Sequence, residues 1–286
     1  LNTIHHTFVP GEISSDIPSF SDLKLTNKFA LENAVYLQDD MSINERLGLQ
    51  YGMRYSFFDY MGEGTAYTFD DKGNVLTSTD YAQWQTIKTY GGFEPRLALR
   101  YDLKKNSSIK ASYNRSLQYL HLLSNSTSSQ PTDIWVPSSN NIKPQTSNQA
   151  SVGYFRNFKD NTYELSVETY YKTMKNAIDY RNGANLFFND QAEGELVYGK
   201  GRAYGVELLF RRQTGKLTGW VSYTWSRSLR TFDDINEGSE FPAKQDRIHD
   251  VAIVAMYTLS DRVKLAANWI YYTGAAVTFP SGKYEI

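Results

Sequence analysis

The sequence predicts an all-β chain, an antiparallel meander of about ten strands that forms part of a larger transmembrane β-barrel. Three observations lead there. The connections sort into two kinds: tight turns at residues 40–45, 104–107, 158–161, 213–215 and 260–261, and long polar stretches at 59–92, 121–146, 175–200 and 229–245. Short and long alternate along the chain, as they do when one membrane face carries turns and the other carries loops. The segments between them alternate apolar and polar residues with the period of two that a strand requires. Large aromatics, among them Tyr55, Phe57, Tyr101, Tyr171, Trp225 and Tyr271, gather near segment ends, where an interfacial girdle needs them.

Residues 47–57 set the pattern: Leu47, Leu49, Tyr51, Met53, Tyr55 and Phe57 are apolar, and the residues between them are small or polar. Next, Leu97, Leu99, Tyr101 and Leu103 oppose Arg96, Ala98, Arg100 and Asp102. Then Tyr163, Leu165, Val167 and Tyr171 oppose Glu164, Ser166, Glu168 and Lys172, and Tyr204, Val206, Leu208 and Phe210 oppose Gly205, Glu207 and Arg211. Leu217, Val221, Tyr223 and Trp225 oppose Thr218, Ser222, Thr224 and Ser226, and Val263, Leu265, Trp269 and Tyr271 oppose Lys264 and Asn268. Residues 31–38, 109–118, 149–156 and 251–259 follow the alternation less cleanly. A soluble antiparallel sandwich also alternates. Charges such as Arg96 and Arg100 on the polar face of strand after strand, and aromatics capping the apolar face, favour the membrane barrel. Leu49, Tyr51, Met53, Leu99, Val206, Leu208 and Val221 are then expected to face lipid.

Composition narrows the class. With Tyr 22, Phe 15 and Trp 5, the chain is 15% aromatic, which favours strands. Mean hydropathy is −0.52, as expected when only alternate residues meet lipid. No run of about 18 apolar residues is present, so no transmembrane helix is expected. A formal net charge of −1 argues against a nucleic-acid surface, and Cys 0 excludes disulfides, thiol nucleophiles and zinc–thiolate sites. Residues 1–6 lack the basic start and apolar run of a signal peptide, and residues 273–286 enter what reads as another long loop. The expectation is therefore a partial barrel domain over residues 1–286, with neither plug nor signal peptide, taken from the middle of a larger barrel.

Several segments resemble the barrel of TonB-dependent receptors, especially the Bacteroidetes type with a carboxypeptidase-regulatory-like N-terminal domain. They are residues 32–39 (ENAVYLQD), 47–55, 94–101 (EPRLALRY), 110–115 (KASYNR), 203–208 (AYGVEL), 222–226 (SYTWS), 246–250 (DRIHD), and Thr273-Gly274 followed by Thr278-Phe279-Pro280. The resemblance implies a barrel of about 22 strands with a plug inside it. It also implies energised uptake of a bulky nutrient from the cell outer membrane, with no catalysis. The partners implied are membrane lipids and lipopolysaccharide, the receptor's own plug domain, TonB through an N-terminal region absent from this chain, and a surface lipoprotein.

Two other classes stay open: a passive porin or adhesin, and a small ten-stranded outer-membrane enzyme similar to the omptin proteases. His249 beside Asp246 and Asp250 motivates the enzyme. Strand neighbours diverge, so His249 and Asp250 are not expected to converge on one site. No metal or cofactor is expected. His5 and His6 diverge in a strand and lack a third ligand. Asp70–Asn74 lacks the order of a calcium loop and reads as a hairpin tip between Phe69 and Val75. Residues 199–205 (GKGRAYG) miss the spacing of a dinucleotide loop and read as glycines at a loop-to-strand junction. On the long connections, Trp135 and Trp84 are candidates for ligand contact, and a merely solvated role stays open. Facing the lumen, Arg54, Arg96, Arg100, Glu168, Lys172, Glu207 and Arg211 are candidates for substrate or plug contact. An internal salt-bridge network is the reading their residue types favour.

Overall fold

The computed structural model describes residues 2–8, 12–13, 23–24, 27–123, 134–181, 183–184 and 191–276. The resemblance segment at 278–280 and parts of two expected loops lie outside them. Eleven strands follow one another: β1 (Asn2–Phe8), β2 (Lys28–Ser42), β3 (Leu47–Met61), β4 (Thr86–Lys104), β5 (Ser107–Gln118), β6 (Gln145–Phe158), β7 (Tyr163–Tyr180), β8 (Leu196–Arg212), β9 (Leu217–Phe232), β10 (His249–Thr258) and β11 (Lys264–Tyr272). Each pairs antiparallel with its sequence neighbour in a single sheet, and β1 and β11 form its two edges. A short strand, Phe241–Pro242, adds to β9 beside the start of β10.

The register explains the two-faced sequence. Paired residues share a face. One cross-strand row reads Met41, Leu49, Leu99, Ala111, Val152, Thr169, Val206, Trp225 and His249. The neighbouring row on the other face reads Ser42, Gly48, Arg100, Lys110, Gly153, Glu168, Glu207, Thr224, Asp250 and Tyr272. The apolar face is exposed although it is apolar: Tyr51, Met53, Leu99, Leu208 and Val221 are among the exposed large hydrophobics. A water-soluble sandwich would bury that face.

The segments whose alternation is weak in sequence are strands with the same register. Their two faces differ less in polarity. In β10, Ala252, Val254 and Met256 lie on the polar face opposite Val251, Ile253 and Ala255, so both faces read as apolar. In β5 and β6, Ser108, Ser112, Ser116, Ser147 and Ser151 fill the polar face with small side chains.

The strands outrun the sequence pattern. A bilayer needs about 9–11 residues per strand, yet β4 has 19, β7 has 18 and β8 has 17. The expected connections shrink accordingly, because pairing continues beyond the membrane where lipid no longer enforces alternation. Residues 199–205 therefore fall inside β8 and not at a loop junction. Their glycines admit close neighbours: a Cβ at Gly199 would meet the Phe232 ring at 2.6 Å, and one at Gly205 would meet the Trp225 carbonyl at 2.7 Å. The hairpin expected around Asp70 is present, with strands Gly64–Phe69 and Val75–Tyr81. Asp70 accepts backbone hydrogen bonds from Lys72 and Asn74, and Gly73 takes the left-handed φ of 85° that the tip requires.

Buried residues collect at the loop end of the sheet. Ala30, Phe58, Tyr60 and Tyr119 form one cluster, with the Phe58 and Tyr119 rings stacked at 4.9 Å. Leu123, Val136, Ile142 and Leu196 form a second, and Ala177, Val197 and Phe232 a third. The membrane part of the wall has no such core, because lipid covers its apolar face. Leu208→Arg should therefore destabilise the folded barrel by about 2–4 kcal/mol, as expected for a cation placed toward mid-membrane. Denaturant unfolding of the two proteins in detergent or bilayers measures this difference.

Candidate functional site

The long connections leave from one end of the sheet, and three of them are joined there by a polar node. Glu193 lies on the single turn Ala192–Glu195 that precedes β8. Its carboxylate accepts from Lys28 Nζ at 3.0 Å, Ser139 Oγ at 2.7 Å and Asn141 Nδ2 at 2.8 Å. Lys28 opens β2, whereas Ser139 and Asn141 belong to the connection between β5 and β6. Asn140 and Asn141 also donate to the Tyr67 carbonyl, which brings in the hairpin between β3 and β4. Arg181 donates to the Lys72 and Asp71 carbonyls at that hairpin's tip. Three connections are thus tied into one rim, with Tyr90 of β4 donating to the Ser139 carbonyl from below.

Electrostatics holds this node in its charged form. Burial pushes the Glu193 carboxyl up, but the Lys28 ammonium and the Asn141 and Ser139 donors outweigh it and hold the group below the usual carboxylate range. His121 sits in the adjoining hairpin Leu120–Leu123 with Ile134–Pro137, 3.2 Å from Ser138 Oγ. Burial pushes its pKa down from 6.5 to about 4, so it is neutral at pH 7.

Below the rim, the polar face carries a charged patchwork. Arg54 bridges Glu32 at 3.2 Å and Glu94 at 3.6 Å, and Ser56 Oγ donates to the buried Glu94 at 2.6 Å. His6 Nε2 lies 3.6 Å from Glu32. Toward the turns, Arg100 sits opposite Lys110, and Glu168 sits opposite Glu207, with Gly153 between the pairs. Asp40, Gln50, Arg100, Lys110, Ser151 and Glu168 are among the residues lining a groove there.

The seven lumen candidates do share one face, but they do not form the expected network. Only Arg54 joins a multi-residue ion cluster, and Arg100 pairs only with Asp102 beside it in β4, at 2.9 Å. Arg96, Glu168, Lys172, Glu207 and Arg211 have no ion pair among the described residues. Like charges sit opposite one another at Glu168 and Glu207, Arg96 and Lys172 sit opposite uncharged residues, and Arg211 sits opposite Glu164 without an ion pair among the described residues. Sequence reasoning missed Glu193, Lys28 and His121, since they come together only through loops that cross the rim.

The loop tryptophans differ. Trp84 packs on Phe29 at 4.8 Å and on His5 at 5.1 Å, which gives it a structural role at the base of its connection. Trp135 is 55% exposed on the hairpin that holds His121. His249 and Asp250 diverge as expected. His249 shares the apolar face with Trp225 and bonds Tyr223 at 2.9 Å, whereas Asp250 lies opposite Thr224 on the polar face. Asp246 is occupied by Arg227 and the Ser228 amide. No acid–base pair is assembled there. Among the described residues, no group of His, Asp and Glu could hold a metal ion.

A transmembrane wall with turns at one end and an interlocked polar rim at the other narrows the families to consider. Residues 7–285 match the family described as TonB dependent receptor-like, beta-barrel. The chain belongs to that family. TonB-dependent receptors are outer-membrane transport proteins, not enzymes, so the omptin-like alternative is set aside. Solved structures agree in fold. The FrpB iron transporter from Neisseria meningitidis aligns with TM-score 0.57 and 17% identity, covering 87% of this chain and 33% of its own. The ferric-catecholate import receptor Fiu from E. coli K12, in its closed form, aligns with TM-score 0.58 and 18% identity, covering 93% and 39%. The alcaligin receptor FauA from Bordetella pertussis aligns with TM-score 0.54 and 15% identity, covering 87% and 38%. The chain thus spans between a third and two fifths of these receptors' lengths. No curated protein matches it in sequence.

Glu193→Ala would leave Lys28 without its counter-charge. The Lys28 side chain keeps 32% exposure, so the expected cost is about 2 kcal/mol, below the 3–5 kcal/mol of a fully buried pair. Hydrogen exchange at the hairpin 64–81 and at 134–142 should rise together, because one node holds both. Acid should loosen the same rim. The folded His121 value lies below the unfolded 6.5, so the unfolded chain binds more protons between pH 6.5 and 4, and stability falls as pH drops through that window. Protonation of Glu193, whose carboxyl is held below its usual range, adds to the loss in acid. Exchange at 134–137, corrected for intrinsic rate, should rise between pH 6.5 and 4 in the wild type and change less in His121→Gln.

Proposed function

We propose that this chain forms part of the wall of a receptor that takes up a bulky nutrient across the outer membrane with energy delivered by TonB. The observation that carries this reading is the rim: three connections are knitted through Glu193 above a polar face whose charges the wall leaves largely unpaired. A rim of that kind presents a shaped recognition surface. Unpaired luminal charges need a partner inside the barrel.

In this reading residues 1–286 are one partial barrel domain, and further strands complete the wall. Arg96, Arg100, Glu168, Lys172, Glu207 and Arg211 contact a plug domain or the cargo crossing it, whereas Arg54 belongs to the wall's own ion cluster. Trp135 offers the loop face an exposed aromatic contact for cargo, or for a surface lipoprotein that delivers it. Membrane lipids and lipopolysaccharide surround the apolar face. The N-terminal region that meets TonB carries the carboxypeptidase-regulatory-like domain of the Bacteroidetes type.

The test is genetic. Deleting the gene in the producing bacterium should abolish growth on one bulky nutrient supplied as sole source, and inactivating TonB should reproduce that loss. Growth that survives TonB inactivation but requires this protein would overturn energised uptake in favour of a passive pore. A second measurement addresses the lumen. Glu168→Lys with Glu207→Lys should lower uptake at least ten-fold while the protein stays folded in the outer membrane. Unchanged uptake would remove this pair from the transport path.

A further inference from the structure

The hairpin at the rim has two edges, and the rim uses only one. Strand Gly64–Phe69 pairs with strand Val75–Tyr81, and its Tyr67 carbonyl accepts from Asn140 and Asn141. On its other side strand Val75–Tyr81 has no neighbour, and the backbone groups along that edge meet no partner among the described residues. Residues 75–80 are all exposed, Leu76 at 64%. A bulge at Leu76 interrupts the pairing near the tip, and Thr77 to Tyr81 then run in unbroken register with Thr68 to Gly64. A bare edge is a template for another strand, and proteins blunt it with lysine, proline or a covering loop. Thr77–Tyr81 carries neither lysine nor proline.

This edge is held rigid, and on the lumen side. Thr68 and Thr77 hydroxyls bond at 2.6 Å, and Thr65 donates to Asp80 at 2.7 Å, one cross-strand pair on each face of the hairpin. Arg181 pins the tip through the Lys72 and Asp71 carbonyls, and Gly73 packs against Gly194. The base leaves β3 and β4 while the tip reaches the end of β7 and the turn before β8, so the hairpin passes in front of β5 and β6. It passes on the polar side, because Lys28 and Tyr90, which hold the rim, share their faces with Glu32 and Glu94. A strand already fixed in this way loses little freedom when another pairs with it.

We infer that the free edge Thr77–Tyr81 binds cargo as an added β-strand, and that the cargo is an extended oligopeptide. The inference deepens the proposed function, on which it rests, by naming the substrate class. Two features select a peptide. A row of alternating backbone donors and acceptors is matched along its length by another peptide backbone, and this mode tolerates many side-chain sequences. The polar face below carries unpaired charges of both signs, Arg96 and Arg100 with Glu168 and Glu207. They suit a cargo with ammonium and carboxylate groups, whereas a uniformly anionic cargo would meet repulsion at the acidic pair. Leu76, projecting at the bulge, offers one apolar contact at the end of the edge.

The test uses the full-length receptor purified in mild detergent and a fluorescent, end-capped nonapeptide of alternating threonine and valine. Two further versions carry backbone N-methyl groups at every second residue, one along each edge of the extended peptide. A strand pairs with the hairpin through one of its edges. One methylated version should therefore bind at least ten-fold more weakly than the parent, and the other should bind as the parent does. Successive amides of a strand point to opposite edges, so Ser78→Pro and Thr79→Pro divide the same way. One removes an amide of the free edge and should lower parent binding at least ten-fold, with hydrogen exchange at 64–69 unchanged. The other breaks the hairpin's own ladder and should raise that exchange. Replacing residues 64–81 by a short glycine link should abolish binding, and it keeps the test decisive if the proline variants assemble poorly. No binding of the parent peptide, equal binding of all three peptides, or binding that survives removal of the hairpin would overturn the site. The assay does not involve TonB, so peptide binding as expected alongside uptake that survives TonB inactivation would overturn energised uptake and leave the site standing.

Discussion

The constraint on which the rest depends is that a strand in a bilayer must satisfy its backbone sideways. Lipid offers no hydrogen bonds, so every N–H and C=O at membrane depth pairs with the next strand. That requirement forces neighbouring strands into continuous register, and the register decides which side chains share a face. Leu49, Leu99, Val152 and Val206 fall in one row because the backbones pair there, not because the side chains attract one another. Apolar residues need no core in this setting, because solvent for them is outside.

The same constraint relaxes above the membrane, and the architecture changes there. Water can satisfy a backbone group, loops can turn back, and burial has to be created by protein. The three buried clusters and the Glu193 node all lie at this end. The node joins charges that a soluble protein would leave at its surface. Its value is geometric: one carboxylate accepting from Lys28, Ser139 and Asn141 holds three connections in a single arrangement. A neutral His121 beside it makes the arrangement sensitive to acid in the pH 4 to 6.5 window.

The polar face and the apolar face solve opposite electrostatic problems. On the polar face, like charges meet across strands at Glu168 and Glu207, and their compensation must come from whatever occupies the lumen. On the apolar face, Lys175 and Lys200 meet in the same way. In both cases the wall is not electrostatically complete on its own. This is expected of a protein whose surroundings on each side are fixed partners and not bulk water.

Alternation at period two was enough, without any structure, to establish the β class, the meander, and the face on which Arg54, Arg96, Glu207 and Leu208 lie, because strand geometry maps sequence parity directly onto space. The spacing of turns and loops established which end is which. β10 was harder to read since Val254 and Met256 make its polar face apolar, and the true ends of β7 and β8 were hidden because lipid stops enforcing alternation where they leave the membrane. Only tertiary structure could bring Glu193 to Lys28, 165 residues apart, or set Ser139 and Asn141 on the same carboxylate. Those contacts run through loops, where side-chain direction follows no period and position depends on the strands that carry the loop. That Lys175 and Lys200 face one another is likewise invisible in sequence, since 25 positions separate them and only the β7–β8 register, unbroken up to Lys175, sets them face to face.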